Sequence, residues 1–342
     1  MSIKKLLTAV CAALLTGSLF AAGVVLNPQH PDHYTVVKGD TLWDIAARFL
    51  RDPWMWPEVW YVNPQVANPH LIYPGDTLSL VYVDGKPQIR REENGTVHLS
   101  PRIRTESLDN AIPTIPIDAI KQFLTRAIVV QKGELEQAPY VVESAGEHVI
   151  TGAGDRVYVR GIHDRDHTLF DVYEPRGPYI DPDTNEVLGY EALYVGTGPI
   201  QHFGDPATLK LVSTAREARI GDRLRPAEHN EVITHFLPHP VPNGTEGHII
   251  SVLDGVSEIG QFNVVALDLG KRDGMEAGHV LRVFQRGDVI RDTVSGKPGD
   301  KVRLPDEEAG IVMVFRTFEK VSYALVMSAT NAIHVNDYVR TP

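Results

Sequence analysis

The stretch 34-YTVVKGDTLWDIAARF-49 decides how the first part of the chain folds. Residues 34–37 are aromatic and β-branched and alternate in polarity, which predicts a strand, and Gly39 gives the following turn its backbone freedom. Thr41 stands three residues before Asp44, the spacing of a capping box that satisfies the free N–H groups at a helix start. Four apolar residues then recur at helical spacing on one face: Leu42, Ile45, Ala46 and Phe49.

A second helix and a second strand complete the pattern. Pro57 suits the first turn of a helix over residues 57–62, and 63-NP-64 ends it. The stretch 71-LIYPGDTLSL-80 repeats the glycine-aspartate turn and predicts a strand over residues 77–82. Two strands this short pair with each other, and the helices cover one face of the pair.

This strand-helix-helix-strand order resembles the LysM domain, the peptidoglycan- and chitin-binding module. The resemblance covers residues 32–82 and rests on 39-GDTL-42, 45-IA-46, 63-NP-64 and 73-YPGDTL-78. One departure is the connection 51-RDPWMWPEVWY-61, which is longer than usual and holds three of the four tryptophans.

The resemblance implies a shallow groove that takes the N-acetyl sugars of a glycan strand. Its two lips are expected at the following peptidoglycan-binding residues: Gly39, Asp40, Thr41 and Leu42 on one side, Asn68, Leu71 and Ile72 on the other. An uncharged sugar needs exposed peptide groups for its acetamido function and an apolar shelf for its methyl group. Asp40 and Thr41 are equally well explained as turn and cap residues alone, and Trp56 and Trp60 are expected in the core rather than in the site.

The first 23 residues have the pattern of a cleaved signal peptide. Lys4 and Lys5 precede an apolar run over residues 6–20, and small residues follow at 21–23. We expect a periplasmic, wall-associated protein with no transmembrane segment in the mature chain; an uncleaved anchor is the alternative. Cys11 is the one cysteine, so no disulfide framework or catalytic cysteine is expected, and a net charge of −11 disfavours nucleic acid as a partner.

The remaining sequence predicts an α+β chain in which the LysM module precedes a mostly-β region. A polar linker is expected over residues 83–105. A first β-rich unit with an N-terminal helix follows over 106–228, then a proline- and histidine-rich linker over 229–244 and a second β-rich unit over 245–342.

Three short correspondences predict that the two β-rich units are related. They pair 153-AGDRVYV-159 with 277-AGHVLRV-283, 186-EVLG-189 with 307-EEAG-310, and 220-IGDRL-224 with 335-VNDYV-339. Chance similarity between glycine turns of β-rich segments is the alternative.

The sequence contains no recognised catalytic or metal-binding motif of a wall-cleaving enzyme. The histidines of 161-GIHDRDHTLFD-171 and 234-THFLPHP-240 lack a zinc-binding spacing. Residues 181–192 lack the glycine and glutamate of a calcium loop. We therefore expect no enzyme activity, no metal and no cofactor.

The C-terminal stretches 260-GQFNVVALDLGKRDGMEAGHVLRVF-284 and 302–342 resemble the type IV pilus secretin-associated proteins and, more distantly, a flagellar basal-body assembly protein. The resemblance implies a non-enzymatic protein that anchors the outer-membrane secretin ring of type IV pili to peptidoglycan. The alternatives are a peptidoglycan hydrolase or hydrolase activator, and a component of the flagellar basal-body disc.

Overall fold

The computed structural model describes residues 24–60, 72–92, 111–125, 128–146, 150–163, 165–227, 236–253, 259–294 and 299–342. It divides the chain into two compact units, Met1–Ile112 and Pro113–Pro342. The predicted signal peptide over residues 1–23 lies outside the described residues. At the level of fold class the prediction is confirmed, because a LysM region with short helices precedes a mostly-β region.

The described residues of the first unit form a three-stranded antiparallel sheet with helices beside it. Its elements, in chain order, are β1 (His33–Thr35), α1 (Leu42–Phe49), a 3₁₀ turn (Pro53–Met55), α2 (Trp56–Val59), β2 (Thr77–Val83) and β3 (Lys86–Arg91). The central strand is β2, which pairs with β1 on one side and with β3 on the other.

The core of this unit is the apolar face predicted for α1 together with residues from the strands. Leu42, Ile45, Ala46 and Phe49 are all buried, as their helical spacing predicts. They form a cluster with buried residues from other elements: Val36, Leu50, Trp56, Val59, Ile72, Leu78, Ile89 and Ile112.

The first unit extends beyond the predicted start of the linker at residue 83 and beyond its predicted end at residue 105. Strand β3 lies inside that stretch, and its Ile89 is buried against the helices. Ile112 also belongs to the first unit, because its side chain is buried and its N–H donates to the carbonyl of Ile72. The division between the units therefore lies at residues 112 and 113, where the prediction placed it at 105 and 106.

The second unit opens with helix α3 (Ile117–Thr125), whose Ile120 and Phe123 are buried. Among the described residues, six antiparallel strands then close a ring in the order β5-β6-β9-β8-β7-β11. We call this ring barrel 1. Its strands are β5 (Tyr140–Ser144), β6 (Arg156–Arg160), β7 (Leu169–Ile180), β8 (Val187–His202), β9 (Ala207–Lys210) and β11 (Arg223–Pro226). Two short strands pair with β8, namely β4 (Ile128–Val130) and β10 (Ser213–Thr214).

A second ring of six described antiparallel strands, barrel 2, closes in the order β13-β14-β19-β18-β15-β20. Its strands are β13 (Glu246–Val252), β14 (Val264–Leu267), β15 (His279–Gln285), β18 (Glu307–Thr317), β19 (Ser322–Ala329) and β20 (Tyr338–Arg340). A short strand, β12 (His239–Pro240), pairs with β15 in parallel. It lies in the stretch predicted as the second linker, and Phe236 and Val241 on either side of it are buried. A separate hairpin is formed by β16 (Val289–Arg291) and β17 (Lys301–Arg303).

The two barrels have the same strand order. When the strands of each ring are numbered one to six along the chain, both rings read one-two-five-four-three-six. Two of the three sequence correspondences agree with this order, since each joins the start of the fourth or the sixth strand in both rings. The correspondence between residues 153–159 and 277–283 is wrong, because the first leads into the second strand of barrel 1 and the other into the third strand of barrel 2.

The hairpin turn between β7 and β8 contacts barrel 2. The carboxylate of Glu186 lies 2.9 Å from the guanidinium of Arg272 and 2.6 Å from the ammonium of Lys320. Deeper in the contact, the hydroxyls of Tyr179 and Tyr323 are 3.5 Å apart and both side chains are buried. The two barrels therefore share a packed interface within the second unit.

Candidate functional site

The candidate site is the turn over residues 37–40, which connects β1 to α1. Gly39 has a φ of 101°, in the left-handed region that favours glycine. The carboxylate of Asp40 accepts hydrogen bonds from the N–H of Val37 and from the hydroxyl of Tyr34, both at 2.9 Å. One side chain thus holds the turn closed from inside, and the residues Lys38 and Gly39 are exposed. Because glycine has no side chain, the exposed part of Gly39 is its backbone.

A second turn of the same construction lies beside it. Gly75 has a φ of 97°, and the carboxylate of Asp76 accepts the N–H of Tyr73 at 3.0 Å. The two turns are joined by backbone hydrogen bonds, from the N–H of Val36 to the carbonyl of Asp76 and from the N–H of Gly75 to the carbonyl of Val36. The fold therefore brings the two glycine-aspartate motifs of the sequence into contact.

Thr41 is the N-cap of α1 and makes both halves of the predicted capping box. Its hydroxyl oxygen accepts the N–H of Asp44 at 3.1 Å, and the carboxylate of Asp44 accepts the N–H of Thr41 at 3.3 Å. The side chains of Asp40 and Thr41 are buried, and both make hydrogen bonds within the unit. These two side chains hold the backbone of the turn in place, and the backbone is what a ligand can contact.

The apolar part of the predicted groove is placed differently. Leu42 is 1% exposed and Ile72 is 3% exposed, so both belong to the core of the unit. Asn68 and Leu71 lie outside the described residues. The exposed apolar side chain at the turn is that of Val37, which is 53% exposed. Strand alternation could have identified Val37, because it follows the buried Val36 and must face the opposite side.

The tryptophans lie where the core prediction placed them. Trp56 is buried, and its ring meets that of Trp60 edge to face with centroids 6.0 Å apart. Trp60 is partly buried and packs against the same core. These two rings stabilise the small unit by apolar burial.

Charges near the turn are arranged around Tyr34. The guanidinium of Arg48 lies 4.5 Å from the centre of the Tyr34 ring, a cation–π distance. Burial of the phenol, together with its hydrogen bond to the Asp40 carboxylate, raises the pKa of Tyr34. Tyr34 therefore stays protonated and donates its O–H to the turn at neutral pH.

The described residues contain no group of three or more histidine, cysteine, aspartate or glutamate side chains placed to hold a metal ion. Two histidine rings do meet, those of His239 and His279, with their centroids 4.5 Å apart. The Nδ1 of His279 accepts the N–H of Glu276 at 3.0 Å, so its Nε2 bears the proton and is not free to bind a metal. Within the same residues, no helix has the length and apolar composition needed to cross a membrane.

Comparison with known proteins agrees with the geometry of the first unit. The model of the LysM domain family matches residues 34–81. A Bacillus subtilis (strain 168) protein described as "Uncharacterized protein YqbP" is 40% identical over 60 residues, which cover 15% of this chain and 27% of that protein. The chain thus spans about a quarter of the length of this curated relative. Residues 34–81 are therefore a LysM domain, a binding module, and this supports peptidoglycan binding by the chain.

Proposed function

We propose that this protein is a non-enzymatic anchor that binds the glycan strands of peptidoglycan through the turn over residues 37–40. The observation that carries the proposal is the LysM domain over residues 34–81 together with the exposed residues Lys38 and Gly39, of which Gly39 exposes its backbone. Peptide N–H and C=O groups match the acetamido group of an uncharged N-acetyl sugar. The exposed methyl groups of Val37 offer an apolar surface for the acetyl methyl.

The proposed site includes the seven residues expected from the family pattern, but not all of them contact the sugar directly. Gly39 exposes the backbone, while Asp40 and Thr41 fix its conformation through their internal hydrogen bonds. Leu42 and Ile72 support the turn from the core. The second lip is proposed at Asn68 and Leu71.

The cellular setting is part of the same proposal. Residues 1–23 would direct export and be removed, which leaves a periplasmic protein attached to the wall. The second unit would dock on the outer-membrane secretin ring of type IV pili, and this is supported by the sequence resemblance of residues 260–284 and 302–342. One module binds a short glycan weakly, but a ring of copies gains strength through effective concentration.

We also propose that barrels 1 and 2 arose from one duplicated unit. Support comes from their common strand order and from matching turns before the second and sixth strands. In barrel 1 these turns end at Asp155 and Asp222, and in barrel 2 at Asn263 and Asp337; each side chain accepts the N–H of the residue three positions earlier.

The wall-binding part is tested by co-sedimentation of the purified protein with peptidoglycan sacculi. Val37→Asp puts a charge at the exposed turn, and we expect at least a tenfold loss of binding. Val25→Asp is the matched control, because Val25 is a similarly exposed valine of the same unit. Equal binding by both variants would refute the site, and release of soluble glycan fragments by the parent protein would refute the non-enzymatic proposal.

The partner part needs a separate experiment in a bacterium that has both pili and flagella. Deletion of the gene is expected to abolish twitching and to leave swimming intact. Loss of swimming with twitching preserved would favour the flagellar disc instead. Crosslinking in intact cells should join the protein to the secretin, and a crosslinked product that lacks the secretin would contradict the proposed partner.

A further inference from the structure

An open pocket of about 530 Å³ lies on the surface of barrel 1, far along the chain from the LysM domain. Its walls come from β7, from β10 and the loop that follows it, and from the loop before β6. The lining residues include three arginines and two glutamates: Arg176, Arg216, Arg219, Glu174 and Glu217. The volume falls in the range of pockets that bind small molecules.

The charged groups of the pocket are paired unevenly. Glu174 is shared between Arg176 at 3.2 Å and Arg219 at 3.9 Å, and Glu217 lies 4.0 Å from Arg219. Within the described residues, Arg216 is exposed and makes no ion pair within 4.0 Å. Among the residues that the structure describes, Arg216 is therefore the pocket arginine whose guanidinium has no carboxylate within 4.0 Å, and its five N–H donors can pair with a ligand carboxylate.

A further carboxylate, outside the lining, interacts electrostatically with the pocket arginines. Glu191 on β8 is half-buried, and burial raises its pKa while the charges of Arg176 and Arg216 act in the opposite direction. The lining itself combines three arginines with two glutamates. A ligand with several negative charges would be repelled by the glutamates, whereas a ligand with one carboxylate and several N–H donors would find partners of both kinds.

The remaining lining groups have the polarity of a peptide-binding surface. The side chains of Ile150 and Ala215 are exposed and apolar, and Thr214 adds a hydroxyl. A bound peptide could place its carboxylate on a guanidinium, its N–H groups on a glutamate and a small side chain against Ile150. Arginine is well suited to the first contact because its planar fork pairs with a carboxylate through two hydrogen bonds.

We propose that this pocket binds a short peptide with a free carboxylate, and that Arg216 is the residue that pairs with that carboxylate. The site is separate from the proposed glycan site. Val37→Asp is expected to leave peptide binding unchanged, so failure of one proposal leaves the other standing.

The test is a calorimetric titration of the full chain with N-acetyl-trialanine that has a free C-terminal carboxylate. We expect saturable binding by the parent protein and at least a tenfold weaker affinity in Arg216→Ala. Arg165→Ala is the matched control, because Arg165 is another exposed arginine that does not line the pocket, and it should bind as the parent does.

Two further ligands, titrated into the parent protein, test whether the peptide carboxylate is the group that is recognised. The C-terminal amide of the same peptide should bind the parent protein at least tenfold more weakly than the carboxylate form. Inorganic phosphate should also bind more weakly than the peptide. Absence of saturable binding, equal affinity for the amide, or tighter binding of phosphate would each overturn the assignment.

Discussion

At the scale of single residues, one hydrogen bond recurs at the turns of this chain. Among the described residues, six turns are closed by an aspartate or asparagine side chain that accepts the N–H of the residue three positions earlier, with a left-handed residue immediately before it. We call these the side-chain-closed turns. They end at Asp40, Asp76, Asp155, Asp222, Asn263 and Asp337.

Some of these side-chain-closed turns can be predicted from the sequence, and others cannot. Glycine followed by aspartate signals such a turn directly in the sequence, and it identified the turns at Asp40 and Asp76. The same pattern does not predict that the Asp40 side chain is buried and accepts a hydrogen bond from the Tyr34 hydroxyl, because that contact joins residues outside the motif. The turn before β14 was missed because Phe262 holds the left-handed position that glycine holds in barrel 1.

One of these turns makes stability depend on pH. Asp222 is 3% exposed, and its burial, with a contribution from the nearby Glu174 charge, raises its pKa to about 6. Because the folded pKa exceeds the unfolded value of 3.8, folding favours the protonated form. The stabilising contribution is complete below about pH 4 and is lost as the pH rises through about 6; a shift of this size corresponds to about 3 kcal/mol.

Asp222→Asn is expected to remove this dependence, since asparagine keeps the acceptor oxygen and carries no charge. The variant should be about 1–3 kcal/mol more stable than the parent at pH 7.5 and similar to it at pH 4. Urea unfolding followed by circular dichroism at both pH values measures the difference. Asp155→Asn serves as control, and a difference between parent and Asp222→Asn that stays constant with pH would contradict the account.

At the scale of elements, the first unit depends on where α1 begins. The capping box between Thr41 and Asp44 fixes the helix start, and this places the exposed Lys38 and Gly39 just before it. The sequence predicted α1 well because its signals are local. It predicted β3 poorly, because this strand has one buried apolar residue, Ile89, and gains its hydrogen bonds from β2.

Thr41→Ala is expected to lower the stability of the first unit by about 0.5–2 kcal/mol, because the N–H of Asp44 loses its acceptor. Thr41→Ser keeps the hydroxyl and should stay near the parent value. Hydrogen exchange at the first amides of α1 measures the change. Equal protection in both variants would mean that the cap does not hold this turn.

At the scale of the whole molecule, the second unit is a pair of barrels joined by buried contacts. The individual pairings that close each ring, such as β15 with β20 and β8 with β9, are not predicted by the sequence patterns, because they depend on the whole unit. The patterns did predict that two β-rich stretches correspond. Their common strand order is a finding of the structure.

Tyr179 is the residue through which the barrel contact can be tested. It is buried against Tyr323 of barrel 2, so Tyr179→Ala is expected to cost about 3–5 kcal/mol, the range for deletion of a buried aromatic side chain. Tyr179→Phe keeps the packing and should cost much less. We expect calorimetry to show one transition for the second unit in the parent and two in Tyr179→Ala; a single unshifted transition in the alanine variant would contradict a shared interface.

The claim that matters most for the whole molecule is that the exposed backbone before α1 is where N-acetyl sugars bind. It is tested most directly by following the amide NMR signals of the full chain during titration with a chito-oligosaccharide. We expect saturable shifts at Lys38 and Gly39, and no shifts with a cello-oligosaccharide, which lacks the acetamido groups. Saturable binding that leaves these two amides unmoved would contradict this claim.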